Sequence, residues 1–380
     1  MTIAIISMIR DSWGGSEELW ADMSEAALGK KYKVLHLAYE TDSIHPRMQD
    51  LINKGLQAYT RPSYKGKLIG PLGMLAEKIL FFFKKRANRS LIKLFKKRPD
   101  IILYNATCYS IAREKRLLRL LKNFTGKFFI LGHFNDERPG ELNSYLRQKT
   151  IQAFQKSNNV FFVSYRNLQI AKRQLVIKID HAVIVRNPVN ISSNEIIPYP
   201  KKSTIQFAMV GNLIIAHKGQ DIAFETLSTD IWKNRDWHLN IYGSGKDEFI
   251  LKELATFFKL NERITFHGRV NDIRSVWAKN HILLMPSYME GMPLAIVEAM
   301  LCGRPCVATD VGGTAEWIVE GQSGFIADAA TVFSFSKALE KSWNHKENWE
   351  SMGGNAHERA ITLYDPKAGE TLLQLMIKNL

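Results

Sequence analysis

His281-Ile-Leu-Leu-Met-Pro-Ser-Tyr-Met-Glu290-Gly-Met-Pro-Leu-Ala-Ile-Val-Glu298 is the stretch on which the fold turns. Its first part, through Ser287, reads as a buried strand, a short apolar run bounded by a turn signal. Beyond Pro293 the apolar spacing becomes helical, with Pro293 at a natural first-turn position. Glu290 therefore falls in a strand-to-helix turn and Glu298 one to two turns into the helix. Gly291 allows backbone N–H groups to approach a ligand, and a helix start supplies partial positive charge for an anion. Amides for a phosphate and two carboxylates for hydroxyl groups suit a nucleotide sugar. An acidic first turn with one solvated glutamate is the plainer reading of Glu290 to Glu298.

The chain continues Ala299-Met-Leu-Cys-Gly-Arg-Pro-Cys-Val-Ala308, a helix ending at Gly303 and a second short strand, then Thr309-Asp-Val-Gly-Gly313 before another helix. Together these residues resemble the retaining glycosyltransferases of family 4 (glycosyltransferase group 1), in detail from about Ala208 to Gly324 and more loosely elsewhere. The resemblance implies the GT-B fold, two Rossmann-like doubly wound α/β domains facing a cleft.

The 380 residues are enough for two domains, each burying its own core. Three cysteines, Cys108, Cys302 and Cys306, are too few for a disulfide framework and suit a reducing compartment. Met1 runs directly into an apolar strand, which leaves no room for a secretory leader. The longest apolar run, Ile79-Leu-Phe-Phe-Phe83, is far too short to span a bilayer. The expected location is the cytoplasm, with peripheral attachment to the cytoplasmic face of the membrane as an extension. Charge is uneven: Lys/Arg against Asp/Glu gives +17 for residues 1–200 and −2 for 201–380. The first half is thus expected to meet something anionic.

Apolar strands alternate with helical stretches throughout, the pattern of parallel α/β sheets. Strands are expected at Thr2–Ser7, Lys33–Ala38, Ile101–Asn105, Lys127–Leu131, Val160–Val163 and Ala182–Arg186. In the second half they are expected at Thr204–Val210, His238–Tyr242, Ile264–His267, Ile282–Met285 and Pro305–Ala308. The pattern predicts helical stretches near Leu72–Lys96, Tyr109–Asn123, Glu141–Gln155 and Arg166–Val176, and a helix over Pro293–Leu301. The expected division is an acceptor-binding domain over 1–190, a linker over 191–203 and a nucleotide-sugar-binding domain over 204–362. By the resemblance, a last helix over 363–380 crosses back to the first domain.

Several constellations carry candidate chemistry. Gly14-Gly15-Ser16-Glu17 follows strand one, where paired glycines let amides approach phosphate; the resemblance implies that Gly15 faces the donor diphosphate. In Val210-Gly-Asn-Leu-Ile-Ile-Ala-His-Lys-Gly219 the resemblance implies two cationic phosphate partners, an arginine where Asn212 stands and a lysine that Lys218 keeps. Asn212 thus replaces one of two expected cations. In Phe129-Ile-Leu-Gly-His133 the resemblance implies that His133 contacts the donor sugar from the other side, although a lone strand-end histidine is also commonly structural. The resemblance further implies that backbone at Arg269 and Val270 meets the nucleotide base. It implies that Glu290 with Gly291, Met292, Pro293 and Leu294 holds the sugar, and that Glu298 bonds the ribose. Tyr242-Gly-Ser-Gly245-Lys246 is not a P-loop, since Asn240 and Asp247 stand where that motif needs Gly and Ser/Thr.

No Asp-x-Asp and no zinc-type His/Cys spacing occurs in the sequence, so catalysis without a metal and without a cofactor is expected. Residues 73–98 combine Phe81-Phe-Phe83 and Lys84-Lys-Arg86 with Leu91, Leu94 and Lys96-Lys-Arg98. That mix suits an interfacial helix on anionic lipid, and equally a core helix with a solvated basic face. Nucleic acid is not an expected partner, because no nucleic-acid module accompanies the charge. The expected function is sugar transfer from a nucleotide sugar to a glycan or lipid-linked acceptor in cell-envelope synthesis. Transfer to a soluble sugar phosphate, and non-catalytic nucleotide-sugar binding, remain as alternatives.

Overall fold

The computed structural model describes residues 1–8, 13–63, 71–87, 89–137 and 142–378. The chain divides into two units, Met1–Pro188 with Asp365–Leu380, and Val189–Tyr364.

The first unit is built on seven strands, β1 (Thr2–Ser7), β2 (Lys33–Tyr39), β3 (Gln57–Arg61), β4 (Ile101–Ala106), β5 (Lys127–Gly132), β6 (Asn159–Phe162) and β7 (Ala182–Ile184). Their order is 3-2-1-4-5-6-7 and all neighbours are parallel. Burial on both faces explains the unbroken apolar runs of β1 and β4, as parallel sheets require. On one face Ala4, Ile6, Leu35, Leu37, Ile102 and Tyr104 join one core. The helix Ala368–Ile377 belongs to this unit and packs on Gly15–Gly29 so closely that a Cβ on Gly369 would meet Asp22 backbone at 2.4 Å.

The second unit has six parallel strands, β8 (Ile205–Val210), β9 (Trp237–Tyr242), β10 (Ile264–Gly268), β11 (Ile282–Met285), β12 (Cys306–Thr309) and β13 (Gly324–Ala327), in the order 10-9-8-11-12-13. Phe207 on β8 is ringed by Trp232, Trp237, Trp343 and Trp349 at centroid distances of 6.0 to 6.5 Å. Truncating such a buried aromatic costs about 3–5 kcal/mol. Residues 191–203, read from sequence as a linker, fall inside this unit. The fully buried Arg304 fixes them, donating to the carbonyls of Ile197 at 3.0 Å and Pro198 at 2.7 Å as well as to Trp277, Asn280, Cys302 and Gly303.

Some elements differ from the sequence reading. The expected helical stretch near Leu72–Lys96 is two helices, Pro71–Ala87 and Ser90–Lys96. Tyr109–Asn123 is a 3₁₀ turn at Ser110–Arg113 followed by a helix at Lys115–Leu121. The helix expected from Glu141 begins at Ser144, because the Asn143 side chain accepts from Leu146 N–H at 2.9 Å and caps it; Glu141 itself lies outside the described residues. Pro293 precedes the helix Leu294–Leu301 as its cap, its ψ of 84° being non-helical.

Candidate active site

In each sheet the chain leaves the central strand to one side and later returns on the other, which opens a crevice at the carboxyl ends of the two strands flanking the reversal. In the second unit those strands are β8 and β11. The loop after β8 runs into the helical turn Ile215–Lys218, and the loop after β11 carries Glu290. The two are sewn together by backbone, Tyr288 N–H donating to the His217 carbonyl at 2.9 Å. Gly219 permits this approach: its φ is +61°, and a Cβ there would lie 2.1 Å from the Pro286 carbonyl oxygen.

Across this seam Lys218 Nζ lies 2.6 Å from Glu290 Oε1. The Ser287 hydroxyl donates to the same carboxylate oxygen at 2.8 Å. Glu290 is nearly buried and Lys218 keeps a quarter of its side chain exposed, so the pair opens toward solvent on the lysine side. From behind, Gly312 presses on the Glu290 backbone, and Gly313 N–H donates to the Gly291 carbonyl at 2.9 Å.

Glu298 sits one turn into Leu294–Leu301. Burial pushes its carboxyl up to about 8, while the charge of Lys218 draws it the other way. Lys218 thus stands within electrostatic reach of both glutamates. The first intrahelical bond of this helix is Ile296 N–H to the Pro293 carbonyl at 3.0 Å. The amides of Leu294 and Ala295 therefore precede the ladder and face outward as donors. Met292 and Pro293 are buried beneath them and Gly291 is half-buried.

The other residues named from sequence lie on the β8–β9–β10 side. Asn212 has an exposed side chain, while its carbonyl accepts from Gln220 Nε2 at 3.1 Å. Arg269 and Val270 are exposed just past β10, and Arg269 Nε donates to Ser244 Oγ at 2.9 Å. Gly243 and Gly245 serve packing: a Cβ on either would lie within 2.3 Å of the Gly211 or Leu213 carbonyl oxygen.

In the first unit the reversal lies between β1 and β4, and a second polar cluster straddles it. Gly14 caps and Gly15 opens the helix Gly15–Gly29, which brings Glu17 under the end of β1. Glu17 is buried, and it accepts from Ser7 Oγ at 3.0 Å, from the Trp20 indole N–H and from Asn105 Nδ2 at 3.4 Å. Burial raises its carboxyl to about 7, against the pull of those hydrogen bonds. Asn105, at the end of β4, turns its amide nitrogen to Glu17 and the Ser16 carbonyl, so its oxygen faces His133 Nε2 at 2.7 Å. His133 must carry its proton on Nε2, which leaves Nδ1 as a buried acceptor. Burial holds this imidazole neutral, down to about 3. Glu17 and Ser287 stand inside motifs read from the sequence but without an assigned role; Asn105 stands outside those motifs, and only the sheet order brings it to Glu17 and His133.

Among the described residues, no group of three or more His, Cys, Asp or Glu is arranged to hold a metal ion, and no helix is long and apolar enough to cross a membrane. Cys108, Cys302 and Cys306 are free and buried.

Residues 204–345 match the family model described as glycosyl transferases group 1. The chain is 29% identical over 179 residues to an uncharacterized glycosyltransferase of Haemophilus influenzae, a match covering 46% of this chain and 49% of that protein. It is 30% identical over 143 residues to the Escherichia coli UDP-Gal:alpha-D-GlcNAc-diphosphoundecaprenol alpha-1,3-galactosyltransferase, covering 37% and 36%. The chain spans about half or less of the length of these curated relatives. Among solved structures, Anabaena Alr3699/HepE in complex with UDP is similar over 100% of both chains with a TM-score of 0.76, at 16% identity. The fold is GT-B, with two Rossmann-like units.

Proposed function

We propose that this protein is a retaining glycosyltransferase that moves a sugar from a nucleotide sugar to a glycan or lipid-linked acceptor. The observation that carries the reading is the Lys218–Glu290 pair across the β8–β11 crevice, with Glu298 one turn into the adjoining helix. Glu298 accepts the ribose hydroxyls. Glu290 and the amides at the start of Leu294–Leu301 orient the sugar. Lys218 and those amides take up the charge that develops as the bond between anomeric carbon and phosphate oxygen breaks. The acceptor oxygen bonds to the same face of that carbon, and its proton passes to the departing phosphate. Asn212 supplies no charge, so amides and Lys218 carry the leaving-group role without an arginine, and no metal is required.

Relatives support the two substrate classes: the E. coli protein is named for a UDP-sugar and a diphosphoundecaprenol acceptor, and the Anabaena structure holds UDP. A membrane-borne acceptor is further supported by the helix Pro71–Ala87, whose Leu75, Leu80, Phe82 and Phe83 are exposed beside the exposed Lys78 and Lys84.

Nucleotide release from UDP-, GDP- and ADP-sugars tests the reading, with lipid extract as acceptor and excess chelator present. Release from one donor, lost in Glu298→Ala, is the expected result. Nucleotide binding without release under any condition would replace it with non-catalytic binding and direct attention to Asn212. Release abolished by chelator and restored by a divalent ion would overturn the metal-independent part.

A further inference from the structure

We infer that a cavity in the first unit, at the carboxyl end of β1, β2 and β3, seats one polyhydroxylated six-membered ring of the acceptor, a pyranose or a cyclitol. Its role as an acceptor subsite rests on the transferase reading above; its chemistry does not.

The cavity holds about 110 Å³ and opens to solvent. Its walls include Trp13, Trp20, Tyr39 and Tyr59, with His36 and Glu17 as polar groups. Two of the aromatic plates are fixed: Trp13 stacks on His45 at 4.8 Å and 9°, and Trp20 stacks on His36 at 4.2 Å and 17°. An enclosed cavity of about 150 Å³ holds one benzene ring, so this space, open on one side, takes one ring and no more. Aromatic plates with few polar groups suit a ligand with an apolar C–H face and hydroxyl edges.

His36 is the observation that asks for a ligand. It is 4% exposed, and neither ring nitrogen has a hydrogen-bond partner among the described residues. A neutral imidazole offers one donor and one acceptor, directed to opposite sides of its ring, and a ring hydroxyl, itself donor and acceptor, can pair with the nitrogen that faces the cavity. Burial lowers the His36 imidazole to about 3, so it remains neutral and keeps both functions at ordinary pH. Nothing in the sequence marks His36, which lies among apolar residues in mid-strand. A phosphate is the wrong guest: Glu17 lines the cavity, and Arg61, whose charge reaches His36, is ion-paired with Glu114 at 3.1 Å.

The test is saturation-transfer NMR on the full chain with methyl glycosides of glucose, galactose, mannose and N-acetylglucosamine, and with myo-inositol. Trp13→Ala and His36→Leu are run beside the wild type, and UDP, GDP and ADP are titrated separately. At least one ring compound binds saturably, and both variants weaken it by about tenfold or more, as expected for loss of a stacking plate or a paired polar group. Trp13 is half-exposed, so its variant decides the matter if His36→Leu does not fold. No saturable ring binding, or binding that Trp13→Ala leaves intact, overturns the proposal whatever the nucleotides do. Ring binding without any nucleotide binding would support the cavity and remove the transferase reading.

Discussion

Lys218 Nζ is 2.6 Å from Glu290 Oε1, so the cation at the β8–β11 crevice, to which we assign the diphosphate, is already neutralised by the carboxylate to which we assign the sugar. A donor entering here must share the lysine or displace it, and either process couples sugar contact to phosphate contact. Removing Lys218 leaves the nearly buried Glu290 with the Ser287 hydroxyl but no counter-charge, and removing the Glu290 charge leaves Lys218 without this partner; each costs about 1.5–3 kcal/mol, the scale of a hydrogen bond to a charged group. Lys218→Met and Glu290→Gln are each expected to lower stability by that order, with the double variant losing less than the sum. Turnover should fall about 10²–10³-fold in Lys218→Met through loss of leaving-group stabilisation. A thermal double-mutant cycle with parallel kcat values checks this; strict additivity would show that the pair is not coupled.

Glu298 makes a pH prediction. Its carboxyl stands at about 8 in the folded protein, against an ordinary 4.5. A raised carboxyl means that the folded state holds a proton which the unfolded state has released, so stability declines as pH climbs from about 4.5 to about 8. Glu17, raised to about 7, acts in the same direction. Binding of ribose hydroxyls to an ionised Glu298 then expels a proton at pH 7 and tightens as pH approaches 8. Calorimetry of nucleotide binding in phosphate and Tris buffers should show proton release in the wild type and none in Glu298→Gln. Wild-type apparent enthalpies that do not differ between the two buffers beyond those of Glu298→Gln would remove the ribose role.

Gly312 sets the position of Glu290. Its φ is +53°, and a Cβ there would lie 2.1 Å from the Glu290 carbonyl oxygen. Gly321 has a similar φ of +74° with nothing within 4 Å. Both alanine variants incur backbone strain of about 1–3 kcal/mol. Only Gly312→Ala must also move Glu290, so it alone should lose turnover beyond its loss of stability. Comparing kcat at matched folded fractions separates the two effects.

The parallel sheets were legible because strands such as Ile282–Met285 are buried at every position and read as unbroken apolar runs. The edge strand β3, Gln-Ala-Tyr-Thr-Arg, is mostly exposed and carries no such signal, and β13 begins on a glycine. The division of Leu72–Lys96 into two helices was equally silent. Lys218 and Glu290 could be named from their local motifs, but nothing in the sequence says that residues 72 apart share a hydrogen bond. Asn105 was illegible in a deeper sense. It ends a buried strand and meets Glu17 and His133 only through the order of β1, β4 and β5.

The exposed side of Pro71–Ala87 should bind lipid. Leu80, Phe82 and Phe83 are each more than half exposed, and Lys78 and Lys84 stand beside them. Each lysine adds about 1 kcal/mol near an anionic surface, an attraction that salt screens. Sedimentation with phosphatidylglycerol vesicles should carry the protein down at low salt, less so at high salt, and less again for Phe82→Ser/Phe83→Ser. Equal partition to purely neutral vesicles at moderate salt would sink the electrostatic part.

His133 offers the sharpest spectroscopic check. Asn105 donates to Glu17 and the Ser16 carbonyl and so must present its oxygen to His133 Nε2, 2.7 Å away. The ring is therefore the Nε2–H tautomer, neutral through the whole range above about 3, with its Nδ1 a buried acceptor. Long-range ¹H–¹⁵N spectra should show this tautomer without titration between pH 5 and 8. Asn105→Asp replaces the neutral acceptor with a carboxylate, which favours the imidazolium and moves the His133 titration upward. With Nδ1 then protonated, the acceptor is gone, and turnover should fall up to about 10²-fold, the scale of a misplaced contact at a reacting centre. Asn105→Leu leaves the ring neutral but free to rotate, so it should lose turnover without the upward shift. An Nδ1–H tautomer in the wild type would show that Asn105 does not set the ring.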